Sequence, residues 1–232
     1  MAEDAAILDI ARAQPVAEPG AAPPPLYNLR LEAGDLALID APDVAQSRRL
    51  ADLCSGLVPL AQGGVRFLGR DWTVLPHDFA AALRGRIGRV FAAGGWIPFL
   101  DVAANILLPQ LHHTRLDRGA LRDRATALAL SFGLPGLPLE RPADLSPRDL
   151  AGAACVRAFL GEPLLLLLES PVSGQWAELK TALLQLLAAA RARGAAAIWL
   201  TRSELVWRDR TFPATHRWRL AESGLVPVGR AP

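Results

Sequence analysis

The sequence predicts an α/β fold with a mainly parallel core sheet, an antiparallel β piece and a helical insertion. Three observations carry that prediction. Two runs, PLLLLLE at 163–169 and AAAIWLT at 195–201, are apolar without alternation, as strands buried on both faces are. Between them lies QWAELKTALLQLLAAARARG, a helical stretch ended by Gly194, so strand and helix alternate as in a parallel sheet. Nearer the start, short segments alternate in hydrophobicity instead, and the middle of the chain is helical.

Taken in order, AILDI (6–10) is a short first strand, and the Ala- and Pro-rich stretch 11–25 is a linker or loop. LYNLRLEAGDLALID (26–40) reads as a strand, a tight turn at Gly34–Asp35 and a second strand. SRRLADLCSGLV (47–58) spaces Leu50, Leu53, Cys54 and Leu57 as a helix does. GGVRFLGRDW (63–72) predicts a strand pair or a strand and turn, and RIGRVFAA (86–93) a short strand. A helical section runs from DVAANILLPQL through GALRDRATALALSFGL. Over 145–161 another helix is expected, with Ser146 as its N-cap, Pro147 in first position and Asp149 in third. HRWRLAESGLVPV closes the chain as a hairpin around Ser223–Gly224. The expected organisation is a strand and linker over 1–25, then one domain over 26–232 with a helical subdomain at about 96–160.

The 232 residues, 51% hydrophobic, are enough for one sizeable core. A formal net charge of +2, with no basic patch interleaved with aromatics, argues against a nucleic-acid partner. Cys54 and Cys155 sit in apolar helix-like stretches, as small buried hydrophobes do, and neither has metal-ligand spacing. No apolar run reaches the ~20 residues that span a bilayer, and MAEDAAILDIARAQ lacks a charged-then-apolar leader pattern, so a cytoplasmic or peripheral location is expected. Lys180 is the single lysine.

From about residue 26 onward the segments follow the order of a known family. GDLALI stands where a strand leads to a phosphate loop, followed by LADLCSGLVPLAQGGVRFLGRD, RIGRVFAAGGWIPFLDVAANILLP, RPADLS, PLLLLLESPVSGQ and IWLTRS. In order and spacing the chain resembles the nucleotide-binding subunit of ABC transporters, a P-loop NTPase-like domain. FAAGGWIPFLDVAANILLP is most similar to ATPase subunits serving lipid and lipoprotein transport, of the Mla/MCE and Lol types.

The resemblance implies a phosphate loop of the form G-x-x-x-x-G-K-[S/T], in which backbone N–H groups and a lysine hold phosphates and a hydroxyl holds magnesium. The matching residues are DAPDVAQS, Asp40 to Ser47. Asp40 and Ala45 stand at glycine positions, Gln46 at the lysine position, and Ser47 retains the hydroxyl. Asp40 and Asp43 place negative charge where phosphates would lie. The glutamine of the glutamine loop is matched by Ala92, after Val90 and Phe91. The signature L-S-G-G-Q is matched by Leu145, Ser146, Pro147, Arg148 and Asp149, with Arg148 expected to be exposed and solvated. Glu169 matches the magnesium-binding aspartate and is the metal candidate. Ser170 matches the glutamate that acts as general base, and Arg202 the switch histidine; a neutral serine has no comparable proton affinity. SGQW (173–176) replaces a loop ending in Leu-Asp.

Five changed positions leave no hydrolysis mechanism in this site, so no catalytic residue and no cofactor is expected, with Mg·ATP as the alternative. The resemblance further implies docking on a membrane permease beside the glutamine loop, where Trp96, Ile97, Phe99 and Leu100 are candidate anchors. The chain is therefore expected to be a non-hydrolysing transporter subunit on the inner face of the membrane. Its partners would be a permease and either a second ATPase subunit or its own copy, with the membrane reached only through the permease. Two alternatives stand beside it. One is a binding or regulatory module that keeps the fold without a transporter role. The other is an ATPase with substituted motifs, in which Arg48 or Arg49 replaces the lysine.

Overall fold

In the computed structural model of the chain the described residues are 6–20, 22–92, 95–172 and 176–228. Strand β1 (Leu8–Pro15) pairs antiparallel with β2 (Tyr27–Leu31) and with β4 (Leu60–Phe67), and β4 pairs with the short β5 (Arg70–Asp71). This sheet has the order β2-β1-β4-β5. The second sheet contains β3 (Leu36–Asp40), β6 (Ile87–Val90), β7 (Leu165–Glu169), β8 (Ala196–Thr201) and the hairpin β9 (His216–Ala221) and β10 (Gly224–Pro227). Its order is β10-β9-β3-β8-β7-β6, parallel from β9 to β6, with β10 antiparallel at the edge.

Each core strand serves two cores because its side chains alternate between faces. Leu166 and Leu168 of β7, with Trp199 of β8, pack against α3 (Val102–His113), α4 (Arg118–Ser131), α5 (Pro147–Phe159) and α6 (Ala177–Ala192). Leu165 and Leu167, with Ile198 and Leu200, pack with the antiparallel sheet and α1 (Val44–Cys54). This is why PLLLLLE and AAAIWLT carry no polar alternation. Two shorter helices complete the fold: α2 (His77–Arg84), for which the sequence raised no expectation, and α7 (Glu204–Arg208).

The start of the chain differs from expectation. Residues 11–15 continue β1 rather than forming a linker, and β1 is an inner strand of its sheet. Its two ladders slip between Ile10 and Gln14, around Arg12, which takes a positive φ of 48°. Gly63 of β4 passes so close to Arg12 that a Cβ there would lie 2.0 Å from the Arg12 carbonyl oxygen. The strand, turn and strand read over 26–40 are present as β2, the turn at Gly34 and β3, and the turn joins strands of different sheets. The helix predicted over 145–161 begins as expected, with Ser146 Oγ accepting from the Asp149 N–H at 3.1 Å.

Candidate functional site

The loops that leave the carboxyl ends of the parallel strands lie side by side, where α/β sheets place their ligands. The Ala41 N–H donates to the Thr201 carbonyl and the Ser170 N–H to the Leu200 carbonyl, both at 2.9 Å, so three loop starts are pinned together. Ser170 follows β7 in the left-handed region at φ 46°.

The phosphate-loop equivalents form a short strand-to-helix connection. Asp43 caps α1, its Oδ1 accepting from the Gln46 N–H at 2.7 Å. Ser47 is buried, and its hydroxyl donates to the Asp43 carbonyl at 2.9 Å. Ala45 is exposed on α1. Asp40 accepts from Arg219 Nε at 3.0 Å, across the β3–β9 ladder. Lys180 lies elsewhere, its Nζ 3.7 Å from Asp209 Oδ2.

Glu169 is fully buried on the face of β7 that packs toward α1, and its Oε1 accepts from Arg89 Nε at 2.7 Å. Arg89 also pairs with Asp52 of α1 and lies over the Phe91 ring at 4.4 Å. Glu169 Oε2 has no hydrogen-bond partner among the described residues. Among those residues no group of three or more His, Cys, Asp or Glu is arranged to hold a metal ion. A carboxylate committed to an arginine is a poor ligand, because one charge already neutralises it.

A cavity of about 720 Å³ opens at the strand ends, and Ala92, Ser170 and Arg202 all line it. The structure thus brings together the equivalents of the glutamine, the general base and the switch histidine. Asp40, Ala45, Gln46, Ser47 and Glu169 are not among its walls. Pro147 borders it, whereas Leu145 packs on the helical-side core and Ser146 is committed to capping. Arg148 is not solvated as expected. It donates to the Gly133 carbonyl and to Asp149 Oδ1, both at 3.1 Å, and its side chain is 29% exposed. Of the SGQW segment, residues 173–175 lie outside the described residues, and Trp176 borders the cavity.

The docking candidates divide. Phe99 is 75% exposed, while Trp96, Ile97 and Leu100 are partly buried. Trp96 packs on the core and lies under the Arg157 guanidinium at 4.3 Å. Arg157 also donates to the Gly95 carbonyl at 2.8 Å, and burial lowers its pKa to about 10. Asn105, buried on α3, accepts from the Ile97 N–H at 2.8 Å and donates to the carbonyls of Ile97, Leu100 and Asp101. Arg89, Asn105 and Arg157 escaped sequence reasoning, since none falls on a motif position. Their only sequence signal is a polar residue within an apolar element. Cys54 and Cys155 are buried, which pushes both thiols up to about 12, as inert core residues.

No protein-family model matches the chain. Its sequence is 32% identical over 182 residues to the nickel import ATP-binding protein NikE of Pseudomonas putida, which covers 77% of this chain and 66% of that protein. It is 27% identical over 148 residues to the intermembrane phospholipid transport system ATP-binding protein MlaF of Haemophilus influenzae, covering 64% and 56%. Among solved structures, the ATP-binding cassette MJ0796, in a dimeric post-hydrolysis state bound to ADP and Pi, superposes with a TM-score of 0.83. That match is 18% identical and covers 97% of this chain and 99% of that one. The chain belongs to the ABC transporter ATP-binding family. Its fold is the ABC ATPase cassette, with the parallel sheet, antiparallel sheet and helices described above. This cassette spans between about half and two thirds of the length of the two curated relatives, 56% and 66%. Among the described residues no helix is long and apolar enough to cross a membrane.

Proposed function

We propose that this cassette serves a membrane transporter as a subunit that does not hydrolyse ATP. The observation that carries the proposal is the engagement of the motif equivalents within the protein. The Ser47 hydroxyl is bonded to Asp43, the Glu169 carboxylate to Arg89, and the lysine position holds Gln46. These residues do not fit Mg·ATP: phosphate would meet Asp40 and Asp43 with no lysine, and magnesium would have to compete with Arg89. At the strand ends, Ser170 and Arg202 supply neither a general base nor a histidine. Substitution of the lysine by Arg48 or Arg49 is not supported by geometry. Both lie beyond Ser47 inside α1, and Arg49 contacts Glu18 at 3.2 Å.

Attachment to a permease is favoured over a free-standing regulatory module by Phe99, an exposed aromatic on a segment fastened by Asn105. Pairing with an active ATPase subunit or a second copy follows from the same family relationship, and the similar MJ0796 cassette is dimeric. A lipid cargo draws support from the likeness to MlaF, named for phospholipid transport; NikE is named for nickel import. The proposal is tested by isolating the tagged chain from detergent-solubilised membranes of its source cells and assaying phosphate release by the purified chain. Co-purification with a permease, and phosphate release at background, are expected. Turnover by the purified chain alone, or a pool free of permease, contradicts the proposal.

A further inference from the structure

The 720 Å³ cavity has walls that catalysis does not explain. Its volume falls in the range of small-molecule sites, roughly 300–1,000 Å³. Trp96, Trp176 and Trp199 line it together with Leu150 and Val206. Two of the tryptophans are held from behind. Arg157 stacks on Trp96 at 4.3 Å, and Phe212 meets Trp199 edge-on at 5.1 Å. Such walls are preformed, so an apolar body entering them orders few side chains.

The charge of the cavity is one-sided. Among the described residues lining it there is no Asp or Glu, and Arg202 is the only charged side chain. Arg202 is exposed and has no hydrogen-bond or ion-pair partner among the described residues. The nearest acid in sequence, Glu204, is paired with Arg208 at 2.6 Å. Beside Arg202, Ser170 and Ser203 also line the cavity, the Ser203 Oγ accepting from the Val206 N–H at 3.4 Å. An arginine fork with free donors recognises a carboxylate or a phosphate.

We propose that this cavity binds an amphipathic anion, an apolar body seated among Trp96, Trp176 and Trp199 with its carboxylate or phosphate head on Arg202. The proposal rests on the reading that the cleft no longer hydrolyses ATP. The cavity lies at the ends of β6, β7 and β8, and its wall residue Trp96 belongs to the same segment as Phe99.

The test is a fluorescence titration of the full chain, which reads the cavity tryptophans, with dodecanoate, dodecyl phosphate and dodecanol as probes. Saturable one-to-one binding of dodecanoate or dodecyl phosphate is expected, and whichever anion binds tighter identifies the head. Dodecanol should bind at least about tenfold more weakly. Arg202→Gln should weaken the anions at least about tenfold and leave dodecanol unchanged. Ala151→Trp, which fills the cavity, should abolish binding of all three. Arg202 has no hydrogen-bond or ion-pair partner among the described residues, so Arg202→Gln tests the head group even where the bulky variant fails to fold. Equal binding of anion and alcohol, insensitivity to Arg202→Gln, or binding of many molecules per chain overturns the proposal. Phosphate release measured on the same preparation separates the two ideas. No anion binding with no turnover removes only the ligand proposal. Turnover of Mg·ATP removes the non-hydrolysing reading, whatever the anion does.

Discussion

Arg89 is 10% exposed and lies between two acids, Glu169 of β7 and Asp52 of α1. Removing one partner of a buried ion pair leaves an uncompensated charge, whereas removing both together is often close to neutral. Arg89→Met should therefore destabilise the fold by about 3–5 kcal/mol in urea unfolding. The double variant Arg89→Met/Glu169→Leu should return to within about 1 kcal/mol of the parent. A double variant no more stable than the single would mean that Arg89 acts through packing on Phe91 instead. This pair shows where the sequence was silent. Glu169 was legible as an acid ending a buried strand, but its partner lies 80 residues away and belongs to no motif. Asp40 and Arg219, 179 residues apart, were out of reach for the same reason. The Ser146 cap, by contrast, is bonded three residues along and was readable. Local hydrogen bonds leave a spacing in the sequence; long-range ones do not.

At the scale of elements, the periodicity that marked the helices and doubly buried strands was sufficient, because burial on one or two faces sets the residue pattern directly. It could not say which sheet a strand joins. β2 and β3 flank a tight turn yet part into different sheets. Residues 11–15 looked like linker because Ala and Pro composition is a local property, while pairing with β2 and β4 decides their conformation. The segment from Ile97 to Leu100 is likewise ordered from outside, by Asn105 on α3. Asn105→Ala would leave the Ile97 N–H without its acceptor, at a cost of about 1–3 kcal/mol. Amide exchange at Ile97 should then accelerate at least about tenfold, with exchange in β7 and β8 unchanged. Equal acceleration across the core strands would instead mark Asn105 as a support of the whole fold.

At the scale of the whole molecule, the order of segments pointed to the cassette family more firmly than any one motif, and both the fold and the sequence relatives agree with it. That order survives because two cores require it: β3, β6, β7 and β8 each place side chains in both. Chemistry at the strand ends is under no such constraint. Ala92, Ser170 and Arg202 occupy a cavity walled by tryptophan, and Ser47 and Glu169 are bonded inward. The most direct test of the central claim is calorimetric titration of the purified chain with Mg·ATP into the millimolar range. No binding heat and no thermal shift are predicted; saturable binding at micromolar affinity would contradict the account and return DAPDVAQS to the role of a working phosphate loop.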